Sequence, residues 1–293
     1  MNYDNHSKSF HNIVRSYYLK ILQREPDEQG LNFYAQKLKN NEINETSLTK
    51  IFKDSYEYRL LHPTEINQKT VSTNEWMKLD WDSRASDVEY FPGSMWGESE
   101  KEYWSSGKQS SDSILGLNTS MYDLIIQNTD PKKMTILEIG CGPGRILIHM
   151  SKIFGNVFGV DVSSEMITMA KQNMKNIPNC NLYENSGSDL TQFKDDYFDF
   201  CYSNTVFIHI PKKEIIQNYI SETARVLKSG CLFGFNVRGK TKDIHYEQNT
   251  WNGFNFNIDD VYKMISDYNF EVIDEKPLDL NDEEFWFMCK LRK

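Results

Sequence analysis

Residues 134–145 read Met134-Thr135-Ile136-Leu137-Glu138-Ile139-Gly140-Cys141-Gly142-Pro143-Gly144-Arg145. Residues 135–139 form a short apolar run of strand type, broken by Glu138, and residues 145–154 carry helical apolar spacing. The glycines between them let the backbone turn sharply and approach a ligand without interference from a Cβ. Their G-x-G-x-G spacing differs from the G-x-G-x-x-G that seats a dinucleotide pyrophosphate. Glu138 would repel a pyrophosphate, yet it could hold the ammonium of an amino-acid moiety, directly or through water. A cofactor without phosphates is therefore expected. Asp161 ends the next apolar run, Phe158-Gly159-Val160-Asp161. It falls about 20 residues after the turn, where an acid can accept both hydroxyl protons of a ribose.

Outward from this turn, apolar runs at 135–139, 156–160, 181–184, 198–202 and 231–237 alternate with helical patterns at 145–154, 164–175 and 213–227. Such alternation predicts an α/β fold with a mainly parallel sheet. The end of the chain departs from that rhythm. Runs at 270–273 and 285–291 are joined by a polar connection without helical spacing, which predicts a hairpin and an antiparallel last strand.

Taken in order, ILEIGCGPGR (136–145), VFGVDVSSEMI (157–167), ENSGSDL (184–190), FDFCYSN (198–204) and ARVLKSG (224–230) resemble the class I S-adenosylmethionine-dependent methyltransferases. The resemblance implies a Rossmann-like, seven-stranded, mostly parallel sheet with an antiparallel last strand, and S-adenosyl-L-methionine as cofactor. It implies that Glu138, Gly140, Gly142 and Gly144 surround the methionine part, Asp161 the ribose, and Met166 one face of the adenine. Cys141, Val162, Ser186, Gly187, Asp189 and Asn204 complete the expected cofactor site. The family often has an acid directly after a glycine in its third motif, where this chain has Asn185-Ser186 with Asp189 three residues later. Ser229-Gly230-Cys231 replaces a common double glycine, and Cys231 reads as packing.

Methyl transfer needs alignment, exclusion of water and sometimes removal of a proton. His209, in Val206-Phe207-Ile208-His209-Ile210-Pro211, follows the fourth strand. It is the candidate catalytic base, with a packing histidine as the other reading. Cys141 lies in the glycine turn, but no chemical role is assigned to it. His245 and Tyr246 fall in a polar connection expected to overhang the acceptor pocket.

Residues 8–63 carry three helical apolar stripes, residues 64–74 read as a linker, and residues 75–293 as the methyltransferase domain. The stretch 17–59, with its Arg24-Glu25-Pro26-Asp27-Glu28-Gln29-Gly30 corner, resembles a small helical domain of unknown function. That domain is often fused to glycosyltransferases and methyltransferases of envelope polysaccharide work. Residues 75–120 form an aromatic N-terminal cap containing Trp76, Trp81, Tyr90, Phe91, Trp96, Tyr103 and Trp104. Pro92-Gly93 and Ser105-Ser106-Gly107 make it read as irregular, covering either a ligand pocket or the sheet edge.

The net charge of -9, with no basic cluster denser than Lys132-Lys133 or Lys212-Lys213, argues against a nucleic-acid substrate. Five scattered cysteines suggest neither a metal site nor disulfides. No apolar run approaches the roughly 20 residues of a membrane span, and a cytoplasmic protein without an integral membrane segment is expected. The expected function is methyl transfer to a small-molecule or glycan acceptor, with O-methylation favoured. The alternative is a binding or scaffold protein whose methyltransferase fold has lost turnover.

Overall fold

A computed structural model of the chain describes residues 10–26, 28–55, 58, 72–86, 100–117, 119–239, 249–278 and 284–293. The chain divides into two compact units, Met1–Thr70 and Val71–Lys293. Among the described residues no helix is long and apolar enough to cross a membrane.

The apolar stripes of the first unit form α1 (Phe10–Tyr17), which runs into a π-helical turn at Tyr18–Leu22, then α2 (Glu28–Lys39) and α3 (Glu45–Asp54). Val14, Tyr18, Ile21, Ala35, Leu38, Leu48 and Phe52 share one core. There the Phe52 ring stands edge-on to Tyr18 at 4.7 Å and to Tyr34 at 5.2 Å. The corner after α1 has structural work. Gln23 turns the chain with a φ of 54°, and the Arg24 guanidinium lies 5.0 Å over the Tyr18 ring. Asp27 of that corner lies outside the described residues.

In the second unit, the apolar runs become β1 (Thr135–Ile139), β2 (Asn156–Asp161), β3 (Cys180–Glu184), β4 (Phe198–Ser203), β5 (Leu227–Gly239), β6 (Asn255–Phe256), β7 (Phe270–Pro277) and β8 (Glu284–Leu291). The sheet order is β3-β2-β1-β4-β5-β8-β7, with the two-residue β6 beside the end of β5. β1 to β5 pair in parallel, and β8 runs antiparallel to β5 and β7. This is the predicted seven-strand sheet plus one short added pairing.

The central runs are apolar because helices cover both faces. Leu137, Ile139 and Val160 enter one core, whereas Ile136 and Val157 enter the other. Two helices precede the sheet where an irregular aromatic stretch was expected: α4 (Thr73–Ser86) and α5 (Glu100–Leu115), followed by α6 (Met121–Ile126). Trp76 and Trp81 therefore sit on α4, Tyr103 and Trp104 on α5, while Tyr90, Phe91 and Trp96 lie outside the described residues. Ser105-Ser106-Gly107 is helical rather than a loop, and its glycine serves close packing. A Cβ at Gly107 would stand 2.1 Å from the Arg145 carbonyl oxygen. After the sheet begins come α7 (Leu147–Ile153), α8 (Ser164–Asn173), α9 (Lys213–Val226) and α10 (Ile258–Asp267). α9 and α10 supply one core, and α5, α6 and α7 the other. Strand order reverses between β1 and β4, which opens a crevice at the carboxyl ends of the strands.

Candidate functional site

A cavity of about 910 Å³, counting its open mouth, lies at that crevice. The glycine turn forms its floor. Gly140 and Cys141 donate their backbone N–H groups to the Val160 carbonyl at 2.8 and 2.9 Å, which ties the turn to β2. Asp161 then joins two loops: one carboxylate oxygen accepts from Gly142 N and the other from Ser163 N, each at 2.9 Å. The Val162 backbone adds a third hydrogen bond to the carboxylate. Burial pushes the Asp161 carboxyl up to about 6, against the backbone hydrogen bonds that favour its ionised form.

Glu138 is 2% exposed, and its Oε2 accepts from the Tyr202 hydroxyl at 2.9 Å. Burial pushes its carboxyl up to about 8, opposed by Tyr202 and by the charge of Arg145. Burial thus favours the protonated form of Glu138. Arg145 also lines the cavity; its Nη1 donates to Ser106 Oγ at 3.0 Å and to Ser110 Oγ at 3.2 Å.

α4 covers the cavity through polar contacts spread along its length. Asn74 donates to the Ser186 carbonyl at 2.9 Å and to Ser188 Oγ at 2.7 Å. Asp82 accepts from the Ser163 hydroxyl at 2.6 Å and from Glu165 N at 3.1 Å. Asp80 accepts from the Thr250 hydroxyl at 2.6 Å and from Arg84 Nε at 2.9 Å. These contacts hold Met77 and Trp81, four residues apart on one helix face, against the cavity.

Of the residues expected to bind cofactor, Glu138, Gly140, Cys141, Gly142, Asp161, Val162, Met166, Gly187 and Asn204 line this cavity. Three do not. Gly144 faces α8, where a Cβ would stand 2.8 Å from Met174 Sδ. Ser186 and Asp189 bond each other at 2.6 Å, and Asp189 also accepts from the Thr191 hydroxyl at 2.8 Å. Burial alone would raise the Asp189 carboxyl, but the hydrogen bonds from Ser186 and Thr191 outweigh it and hold the group below its ordinary value. The pair shapes the loop after β3. Cys141 is inert because burial pushes its thiol well above the ordinary range.

His209 lines the cavity from a 3-10 turn, Phe207–His209. Its Nδ1 lies 2.5 Å from the Trp251 carbonyl oxygen, and its ring centroid lies 5.4 Å from Trp81 and 5.0 Å from Trp251. Burial pushes the imidazole down to about 4, so it is neutral near pH 7 and a weaker base than an ordinary histidine. With Nδ1 donating to the carbonyl, Nε2 carries the lone pair. His245 and Tyr246 lie outside the described residues.

Residues 136–230 match the family model described as a methyltransferase domain, and residues 3–61 match one described as a domain of unknown function, DUF4214. The chain is 26% identical over 115 residues to a ubiquinone biosynthesis O-methyltransferase of Hydrogenovibrio crunogenus, covering 39% of this chain and 46% of the relative. It is 38% identical over 76 residues to a putative RNA methyltransferase of Acanthamoeba polyphaga mimivirus, covering 24% and 20%. It thus spans less than half the length of these relatives. The chain superposes with a TM-score of 0.57 on magnesium protoporphyrin IX methyltransferase from Synechocystis PCC 6803 with bound SAH. That likeness covers 75% of this chain and all of that one at 16% identity, and it bears on the fold.

Residues 136–230 match a methyltransferase domain, and the fold around them is similar to that of a solved methyltransferase. The glycine turn and the ends of β1, β2 and β4 line the cavity from within the matched segment, while α4 and Tyr103 of α5 line it from outside. Met77, Arg145, Thr205, Val206 and Tyr219 line it without having been expected there, while Trp81 and Tyr103 of the aromatic cap line it as one of the two readings of that stretch had it. The spacing of Met77 and Trp81, and the place of Arg145 directly after the third glycine, are the signals that could have found them.

Proposed function

We propose that the methyltransferase domain binds S-adenosylmethionine and transfers its methyl group to a hydroxyl of a small-molecule or glycan acceptor. The observation that carries this reading is the convergence of Glu138, Asp161 and the glycine turn on one cavity. Asp161, held by backbone N–H groups of Gly142 and Ser163, accepts from the ribose hydroxyls. Glu138, surrendering its proton, accepts the ammonium, and Met166 and Val162 pack on the adenine. The bound cofactor supplies an activated methyl on a sulfonium. The protein's part is to align the acceptor and exclude water.

His209 fits the acceptor side. Its Nε2 receives the hydrogen bond of an approaching hydroxyl and points the oxygen, while the Trp251 carbonyl fixes the ring. His209→Asn is expected to slow single-turnover transfer about 10-fold, as one lost hydrogen bond would, with cofactor affinity unchanged. The rate of the loaded wild-type protein should stay flat from pH 8 down to about 5, because the imidazole titrates near 4. A rate limb near 6.5 would instead make His209 an ordinary base and reject this role.

For the acceptor class, the net charge of -9 disfavours a polyanion, and the relative from H. crunogenus is named an O-methyltransferase. The resemblance of the N-terminal stretch to domains fused to envelope-glycan enzymes favours a glycan. The test is transfer of labelled methyl from cofactor into cell-envelope extract compared with total RNA; label in RNA alone overturns the assignment. The first unit has its own core, so a chain beginning at Ser72 should fold and bind cofactor with unchanged affinity. Calorimetric titration checks this, and aggregation or lost binding would show that the helical unit completes the fold.

A further inference from the structure

We propose that Thr205 selects a hydroxyl as the methyl acceptor, by donating its side-chain O–H to the attacking oxygen while His209 Nε2 receives that oxygen's own hydrogen. This rests on the reading that the cavity serves methyl transfer to an oxygen. Thr205 follows the end of β4 and is half-buried, with Asn204 and Val206 beside it on the cavity wall. The same turn carries His209, whose backbone N–H donates to the Val206 carbonyl at 2.9 Å. Thr205 and His209 therefore line one cavity from a single short segment.

Thr205 has a φ of +60°, in the left-handed region where a β-branched residue is strained and a glycine is not. Strain of this kind persists only where the surroundings impose it, and here they do. Behind the corner, Asn236 of β5 is 1% exposed, and its Oδ1 accepts from the Thr205 N–H at 2.7 Å. The buried Nδ2 of the same amide has no hydrogen-bond partner among the described residues. A buried orphan donor is destabilising, so the one bond that Asn236 makes, to Thr205, is what its amide achieves there. In front, Asn204 Nδ2 donates to Thr205 Oγ1 at 3.0 Å. That bond occupies a lone pair of the hydroxyl and leaves its proton, which no described residue accepts, for a ligand.

An alcohol oxygen carries two lone pairs and one hydrogen, whereas an uncharged amine nitrogen carries one lone pair. With Thr205 on one lone pair and His209 Nε2 on the hydrogen, the second lone pair of an alcohol remains to form the new C–O bond. The C–S bond breaks as it forms, its electron pair stays on sulfur, and the alcohol proton passes to Nε2 and on to water. An amine would have to give Thr205 the lone pair that attack requires, so the corner works against it.

The test compares wild type, Thr205→Ser and Thr205→Gly by thermal unfolding, by titration with S-adenosylhomocysteine, and by transfer of labelled methyl into a dilution series of cell-envelope extract. Hydrolysis of the product separates methyl ethers from N-methyl groups, and wild type should give ethers. Thr205→Gly loses the hydroxyl but also the strain, which offsets the added chain entropy of glycine, so it should unfold close to wild type. Its affinity for S-adenosylhomocysteine should stay within about twofold, yet its rate at saturating extract should fall about 10-fold or more, as one lost hydrogen bond would give. Thr205→Ser keeps the hydroxyl and should retain roughly a third or more of the wild-type rate. A Thr205→Gly rate close to that of wild type overturns the proposal, and so does a Thr205→Ser protein as slow as Thr205→Gly. A rate lost only in proportion to the folded, loaded fraction also overturns it, since that marks a structural threonine. These outcomes leave transfer to a hydroxyl standing as long as wild type forms ethers. No label, or label in N-methyl groups alone, sinks that reading and the role of Thr205 with it.

Discussion

Gly140→Ala is expected to abolish cofactor binding and to lower stability by about 3 kcal/mol, the sum of a left-handed backbone cost and an overpacking cost. Gly140 has a φ of +73°, and a Cβ there would lie 2.3 Å from Val206 Cγ2. The side chain of Val206 belongs to the loop after β4, which lines the cavity beside Asn204 and Thr205. Relief of the clash must move that loop or the glycine turn. Either displacement disturbs the Gly140 and Cys141 hydrogen bonds to Val160. Thermal unfolding and titration with S-adenosylhomocysteine read the two losses separately. A folded Gly140→Ala protein with wild-type affinity would show that the turn does not shape the site.

Asp161→Ala should weaken cofactor binding about 30-fold or more, the worth of charge-assisted contacts to two hydroxyls in a largely dry cavity. Stability should change far less. The substitution orphans the Gly142 and Ser163 N–H groups, which costs, but it also removes a carboxylate whose ionisation burial opposes. The folded Asp161 carboxyl titrates near 6, above its ordinary 3.8. Its contribution to stability is therefore fully present below about 3.8 and lost as pH rises through 6. The melting temperature of Asp161→Ala should gain on that of the wild type between about pH 4 and 6 and level off above that. A fold that survives with undiminished affinity would remove Asp161 from the ribose site.

The sheet is legible in the sequence because β1 and β2 read as continuous apolar runs, a pattern that burial on both faces imposes. Glu138, Asp161 and the glycines are legible because they fall at the ends of two adjacent strands and in the turn after the first. α4 and α5 are not. Their polar residues face outward or bond loops distant in sequence, as Asp82 bonds Ser163 and Asn74 bonds the Ser186 carbonyl. Aromatic residues scattered among serines then mask the helical period. Ser186 and Asp189 look like ligand groups because local hydrogen bonding and ligand binding call for the same residue types. The state of His209 depends on Trp251 and Trp81, which are remote in sequence, and no local pattern reports a burial that lowers its basicity so far.

The most direct test of the central claim is calorimetric titration of the wild-type protein with S-adenosylhomocysteine between pH 6 and 8.5. Binding is expected to release the Glu138 proton, because an ammonium would favour the carboxylate over the protonated form near 8. The dissociation constant should be micromolar, roughly -8 kcal/mol, at the upper end of this range. It should rise as pH falls, approaching tenfold per pH unit below 8, with proton release detected as a dependence on the buffer's ionisation enthalpy. No heat of binding at millimolar ligand, or an affinity independent of pH across this range, would contradict the account.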